Sequence, residues 1–162
     1  MKWYVLQVMT GMEDQIRKQL AHKGIHASVP HEMRVLRSGG KWLQREYILI
    51  PSYVFVQIDY TAALFYVLKE TSGIIKLLGN GGQPSPLSPN EEDWIITWEN
   101  PLEPSTVRFV EMGGYQVISG PLTGQNIKIL KIDRHRRRAK VEISILGKPK
   151  ITYLSLEVLK EF

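Results

Sequence analysis

The sequence predicts two small domains in series. Residues 1–103 read as an α+β domain, a mostly antiparallel sheet with helices against it. Residues 104–162 read as a small all-β barrel. Three observations predict this. Strand-like and helix-like hydrophobic periods alternate in the first part, in the order βα, ββ, βα, β, α. Two prolines in Asn100-Pro-Leu-Glu-Pro-Ser105 stiffen a boundary. Beyond it, short β-branched runs alternate with Gly113, Gly114, Gly120, Gly124 and Gly147.

Taken in order, residues 3–9 form a short apolar run that suits a buried strand. Thr10-Gly-Met-Glu13 has the form of a capping box, in which the Thr10 hydroxyl and Glu13 carboxylate would satisfy each other's backbone N–H groups. Ile16 and Leu20 then recur four apart, Glu13–Arg17 and Asp14–Lys18 are favourable charge pairs, and Gly24 supplies a helix stop. Residues 26–50 predict a long hairpin with its tip at Gly39-Gly40, and residues 53–58 a strong strand. A second helix begins near Thr61 and carries Leu64, Phe65 and Leu68. Residues 74–78 suit a short strand, and residues 79–82 a glycine-rich loop. Ser88-Pro89 with Glu91 predicts a capped helix with Trp94, Ile95 and Trp98 on one face.

Composition limits the function. The chain has 162 residues and no cysteine, which excludes a disulfide scaffold, a thiolate metal site and a cysteine nucleophile. No apolar run is long enough for a membrane span, and no signal segment opens the chain, so the expected location is the cytoplasm. His22, His26 and His31 share no single element, so solvent-exposed histidines are expected there rather than a metal site. Glu91, Glu92 and Asp93 suit the first turn of a helix. Residues 79–82 lack the Lys-Ser/Thr of a phosphate loop. No catalytic constellation, metal or cofactor is expected.

The net charge of +5 is uneven. Residues 1–104 hold 10 Lys/Arg against 11 Asp/Glu, whereas residues 105–162 hold 11 against 5. A polyanion partner is therefore expected on the second half. Its centre is residues 127–146, two alternating β-branched strands around the loop from Asp133 to Arg138. Arg134, His135, Arg136, Arg137 and Arg138 stand there in succession. Two readings stand side by side, a solvated hairpin tip and a nucleic-acid contact. In the first half, alternation places Trp3 and Val5 on one face and Tyr53, Phe55 and Gln57 on one face. Such a face is either core or an open partner surface.

Trp3-Tyr-Val-Leu-Gln-Val…Gly11, Ile50-Pro-Ser-Tyr-Val-Phe-Val-Gln57 and Thr71-Ser-Gly-Ile-Ile-Lys-Leu-Leu-Gly79 resemble the N-terminal domain of the NusG family of transcription elongation factors. Ile118-Ser-Gly-Pro-Leu122 and Val141-Glu-Ile-Ser-Ile-Leu-Gly147 resemble that family's KOW barrel, which is SH3-like. The resemblance covers nearly the whole chain in order. It implies an N-terminal (NGN) domain that docks on the clamp helices of RNA polymerase through an open apolar concavity. Carried over by motif, that concavity includes Trp3, Ile50, Pro51, Tyr53, Phe55 and Leu77, with Leu64, Phe65 and Tyr66 toward the opposite jaw of the cleft.

Three departures matter. Pro51-Ser52-Tyr53 stands for the common Pro-Gly-Tyr, Ile127 for the KOW motif's second glycine, and Ile145-Leu146-Gly147 for Ile-Phe-Gly. With the basic hairpin, these features are most similar to the specialised LoaP branch, processive antiterminators of long operons. A general NusG-type factor linking polymerase to ribosome or termination factor is the alternative, and a ribosome-associated KOW protein a second. The implied partners are RNA polymerase, an RNA hairpin in a nascent leader transcript and, as a further candidate, non-template DNA, with no membrane and a monomeric chain. The implied RNA contacts are Arg134, His135, Arg136, Arg137, Arg138 and Lys140, flanked by Lys128, Lys131, Lys148 and Lys150. A fold-switching KOW domain, as in the RfaH branch, is not expected, because Ile, Val and Gly favour strands over helix there.

Overall fold

The computed structural model describes residues 1–159. They fall into two compact units that do not follow a single cut in the chain. The first unit comprises Met1–Pro30, Ile50–Glu99 and Ile145–Gly147, and the second comprises His31–Leu49, Asn100–Ser144 and residues from Lys148.

The first unit is built on a four-stranded sheet. Its strands are β1 (Lys2–Val8), β2 (His26–Ser28), β5 (Tyr53–Ile58) and β6 (Ile74–Leu77), in the order β2-β5-β1-β6. Every pairing is antiparallel. The helices are α1 (Glu13–His22), α2 (Ala62–Glu70) and α3 (Pro89–Thr97). Ile16 and Leu20 of α1 are fully buried, as their spacing predicts. A Schellman motif ends α1, with Gly24 N–H donating to Ala21 O and Ile25 N–H to Leu20 O. Ser88 and Glu91 make the expected capping box on α3.

The box expected at Thr10 does not form. Helix α1 starts at Glu13 with Met12 as its cap residue, so Thr10 is too far from the first turn. Thr10 Oγ1 instead hydrogen-bonds Ser52 Oγ, and Glu13 Oε1 accepts from Gly11 N–H. Ser52 takes the left-handed conformation that favours glycine, at φ 72°.

The expectation of an open aromatic face is not met at its centre. Trp3 pairs with Gln57 and Val5 with Phe55, which places them on one face. That face is covered by α3. Phe55 meets Trp94 edge-to-face at 5.5 Å, and Trp94 packs on Trp98 at 5.0 Å. Trp3 and Phe55 are 2% and 0% exposed, and Ile50 is buried as well. The two large aromatics of α3, Trp94 and the cap residue Trp98, packed with Phe55 of β5, remove more apolar surface from water than an open sheet would.

In the second unit, β3 (His31–Ser38) and β4 (Lys41–Ile48) form the expected hairpin. Gly39 and Gly40 have φ of 59° and 76°, the double positive φ of a two-residue turn. A five-stranded sheet follows, of β9 (Ser105–Phe109), β10 (Tyr115–Ser119), β11 (Lys128–Asp133), β12 (Arg138–Ile145) and β13 (Lys148–Val158), in the order β10-β9-β13-β12-β11. β13 runs parallel to β9, while β9–β10 and β11–β12 pair antiparallel. Residues 79–80 (β7) and 83–84 (β8) make a small separate ladder in the first unit. Along β12, Ala139, Val141 and Ile143 are buried while Lys140, Glu142 and Ser144 are half-buried between them, the strict alternation read from sequence. At Gly120 an added Cβ would lie 2.6 Å from Ser105 Cα, so only glycine lets this turn pass. Ser105 Oγ then accepts from Leu122 N–H at 3.0 Å.

Candidate nucleic-acid interface

The basic loop joins β11 to β12, which pair as far as Asp133 with Arg138. Four residues remain for the tip, and their backbone is fixed locally. Asp133 Oδ1 accepts from Arg136 N–H at 3.0 Å, and Arg137 takes φ 54°. That N–H donation holds the Asp133 carboxyl below its ordinary value of 3.8. Partial burial opposes the shift, and the positive charges of Arg136 and Lys131 assist it. Further along the ribbon, Lys131 pairs directly with Lys140 past a bulge. Like charges opposite one another destabilise a ladder, whereas Lys128 opposite Glu142 and Arg138 opposite Asp133 are favourable pairings on the same ribbon.

The arginines differ once folded. Arg134, His135, Arg136 and Arg137 are exposed, as are Lys128, Lys131 and Lys148, while Lys140 and Lys150 are half-buried. Arg134 lies over the Phe109 ring at 4.9 Å, and Arg137 over Trp42 at 5.6 Å. Arg138 is different. Its Nη1 donates to Glu32 Oε1 at 2.6 Å and to Ser155 Oγ at 2.7 Å, and its Nη2 to Tyr153 O at 3.2 Å. Glu32, on β3, is 1% exposed. It also accepts from Arg34 Nε at 2.8 Å and from Ser155 N–H at 3.0 Å. Arg138 is thus an anchor between β12 and the hairpin, not a free member of the cluster as the sequence suggested.

Sequence reasoning missed Glu32 and Arg34. The signal available was a lone carboxylate in a segment otherwise basic and apolar. Two concavities flank the anchor. One, about 420 Å³, is lined by Arg34, Lys131, Asp133, Arg136, Arg138, Lys140 and Tyr153. The other, about 460 Å³, brings Trp42 and Leu36 of the hairpin against His135, Arg136 and Arg137. Arg34 of the hairpin and Arg136 of the loop line both concavities, with Asp133 in the first and Glu103 and Glu157 in the second, so the chemistry favours phosphate on the loop side, at Arg136 and Arg137.

Among the other residues singled out, Pro51 and Tyr66 are exposed and Tyr53, Leu64, Phe65 and Leu77 half-buried. The three histidines diverge: His26 Nε2 lies 2.5 Å from Glu99, His31 Nδ1 lies 3.9 Å from Glu46, and His22 ends α1. His31 is half-buried rather than solvent-exposed, at the start of β3 opposite Ile48 with its carbonyl accepting from Leu102 N–H. Among the described residues, no group of three or more His, Asp or Glu could hold a metal ion, and no helix is long and apolar enough to cross a membrane.

Comparison with known proteins gives one consistent answer. The family model described as "Transcription termination factor nusG" matches residues 1–96. The transcription termination/antitermination protein NusG of Buchnera aphidicola is 26% identical over 91% of this chain and 88% of its own length. That of Thermus thermophilus is 28% identical over 91% of both, and that of Bacillus subtilis 27% over 90% of both. Among solved structures, a Thermotoga maritima NusG superposes with a TM-score of 0.58 at 24% identity, covering 96% of this chain and 93% of that one, and so shares its fold. With the helix-flanked antiparallel sheet of the first unit and the five-stranded sheet of the second, these likenesses show that the chain belongs to the NusG family of transcription termination/antitermination factors.

Proposed function

We propose that this chain is a specialised elongation factor of the LoaP type, a processive antiterminator that holds RNA polymerase through its N-terminal domain and a structured RNA hairpin through its KOW domain. In this reading the five-stranded sheet curls into the SH3-like KOW barrel. The observation that carries the reading is the exposed tip Arg134–Arg137 on a ribbon where Lys131 and Lys140 stand opposite each other. Arginine suits it because a planar guanidinium forks to phosphate and to the O6/N7 edge of guanine. A regular A-form groove is too narrow to read, so the RNA is a hairpin opened by a bulge, mismatch or loop.

The polymerase contacts are the accessible subset of the family surface: Pro51, Tyr53, Leu77 and the start of α2 at Leu64, Phe65 and Tyr66. The protein acts by differential binding to polymerase states, with no chemistry and no cofactor of its own, as a cytoplasmic monomer. The deciding experiment is sequencing of RNA crosslinked to the protein in cells. A few discrete leader RNAs support the specialised reading. Uniform coverage of transcripts supports the second reading, a general NusG factor, which the names of the similar proteins favour. Crosslinks confined to ribosomal RNA overturn both.

A further inference from the structure

Four tryptophans occur in the chain, and three are core. Trp3, Trp94 and Trp98 are at most 2% exposed, whereas Trp42 is 56% exposed. Trp42 sits on β4, directly across from Arg37 on β3. The Arg37 guanidinium lies 5.7 Å from its ring centre, and that of Arg137, from the basic loop, 5.6 Å. An isolated exposed aromatic means little. This one forms a wall of the 460 Å³ cleft whose opposite wall is the basic loop. That volume is within the ~300–1,000 Å³ of small-ligand sites.

The lining divides by chemistry. Trp42, Leu36 and Pro104 are apolar or flat, Arg136 and Arg137 are cationic, and His135 is polar. Glu103 and Glu157 also line the cleft and disfavour phosphate beside them. A nucleotide satisfies both kinds of surface, with its base on the indole and its phosphate on the loop. From this geometry we propose that Trp42 is the stacking platform for one unpaired base of the bound RNA, so that the nucleic-acid site is bipartite and includes the β3–β4 hairpin. This rests on the RNA-binding reading above. It adds a second element that no basic residue of the loop supplies, and a preference for an unstacked base over a continuous duplex. Every base has a π-face, so the platform selects single-strandedness rather than sequence.

The test uses the full chain and two RNA hairpins of identical stem, one carrying a single bulged 2-aminopurine and the other fully paired. A single-stranded DNA with the same fluorescent base is the third ligand. On binding the bulged RNA, 2-aminopurine emission falls as the base stacks. Trp42→Ala abolishes that quench and weakens the bulged RNA about 5- to 150-fold, the span of one stacking contact, while affinity for the paired hairpin is unchanged. Trp42→Phe restores part of both signals, and unchanged melting curves show that both variants fold. Equal affinity of parent and Trp42→Ala for the bulged RNA overturns the stacking proposal, while the RNA reading survives if both hairpins still bind and Arg136→Ala/Arg137→Ala weakens them. A parent protein that binds neither hairpin overturns both. A Trp42-dependent quench confined to the DNA overturns the proposal in favour of a DNA strand.

Discussion

Glu32→Ala removes the carboxylate that joins the β3–β4 hairpin to β12 and β13. Its loss leaves Arg138 with Ser155 Oγ and one carbonyl, Arg34 without its partner, and the buried Ser155 N–H without its acceptor. Removing one member of a buried ion pair costs about 3–5 kcal/mol. The Arg138 and Arg34 side chains keep 17% and 36% exposure, so water recovers part of this. The lower end, about 3 kcal/mol, is expected. At roughly 2–4 °C per kcal/mol for a chain of this length, the melting temperature falls by about 6–12 °C. Urea and thermal unfolding followed by circular dichroism measure it. Arg138→Met alone costs a similar amount. Glu32→Leu with Arg138→Met together recovers part of the loss, because an apolar pair avoids the desolvation penalty while Arg34 and the Ser155 N–H still lack their acceptor. A Glu32→Ala variant within about 0.5 kcal/mol of the parent, the range of ordinary surface changes, would refute the reasoning.

Three further outcomes are expected. Phe55→Ala destabilises the first unit by about 3–5 kcal/mol in urea melts, whereas half-buried Tyr53→Ala costs much less and weakens polymerase binding in a pull-down; the opposite order would return Phe55 to the surface. Arg136→Ala with Arg137→Ala lowers affinity for the bulged hairpin RNA without lowering the melting temperature, and the parent's log–log salt slope lies between roughly −3.5 and −4.5 if about five phosphates are neutralised. Arg138 is left out of that variant because its loss would mix unfolding with binding. The lowered pKa of Asp133 means that its charge favours the folded state above the ordinary value of 3.8. That contribution is lost as pH falls through the lower folded value, so parent and Asp133→Asn stabilities converge in acid; a constant difference down to the lowest pH measured would contradict it.

Most elements were legible because they rest on local rules. The alternation of β12, the Gly-Gly turn of the hairpin, the Ser88–Glu91 box and the apolar spacing of α1 need only neighbours a few residues apart. What failed depended on distant partners. Thr10 reads as a cap from its own tetrapeptide, but Ser52, 42 positions away, takes its hydroxyl. Trp3 and Phe55 have a face, but sequence does not say whether α3 lies on it, since Trp94 is equally compatible with packing elsewhere. Arg138 is chemically identical to Arg137 in the chain. Only the side to which β12 turns it, toward Glu32 more than a hundred residues earlier, makes it structural.

This division of the arginines answers a physical difficulty posed by the sequence. Adjacent cations repel, and a loop carrying them would be expected to need an anion before it could order. The fold meets most of that repulsion internally. Arg138 is paired with Glu32, which it shares with Arg34, Arg134 is drawn over Phe109, and the Asp133 carboxylate is tied to Arg136 through its backbone N–H and lies 4.0 Å from its Nε. The tip is therefore set in position before ligand arrives, with Arg137 held at φ 54° beside Trp42. A preordered site spares the complex the cost of ordering long side chains at the moment of binding, which for a rotamer-rich side chain is about 0.5–1.5 kcal/mol each. Salt should then act almost wholly on association. Raising it screens the exposed cations that would meet phosphate in the proposed RNA complex, while the buried Glu32–Arg138 contact that holds the loop in place is screened far less.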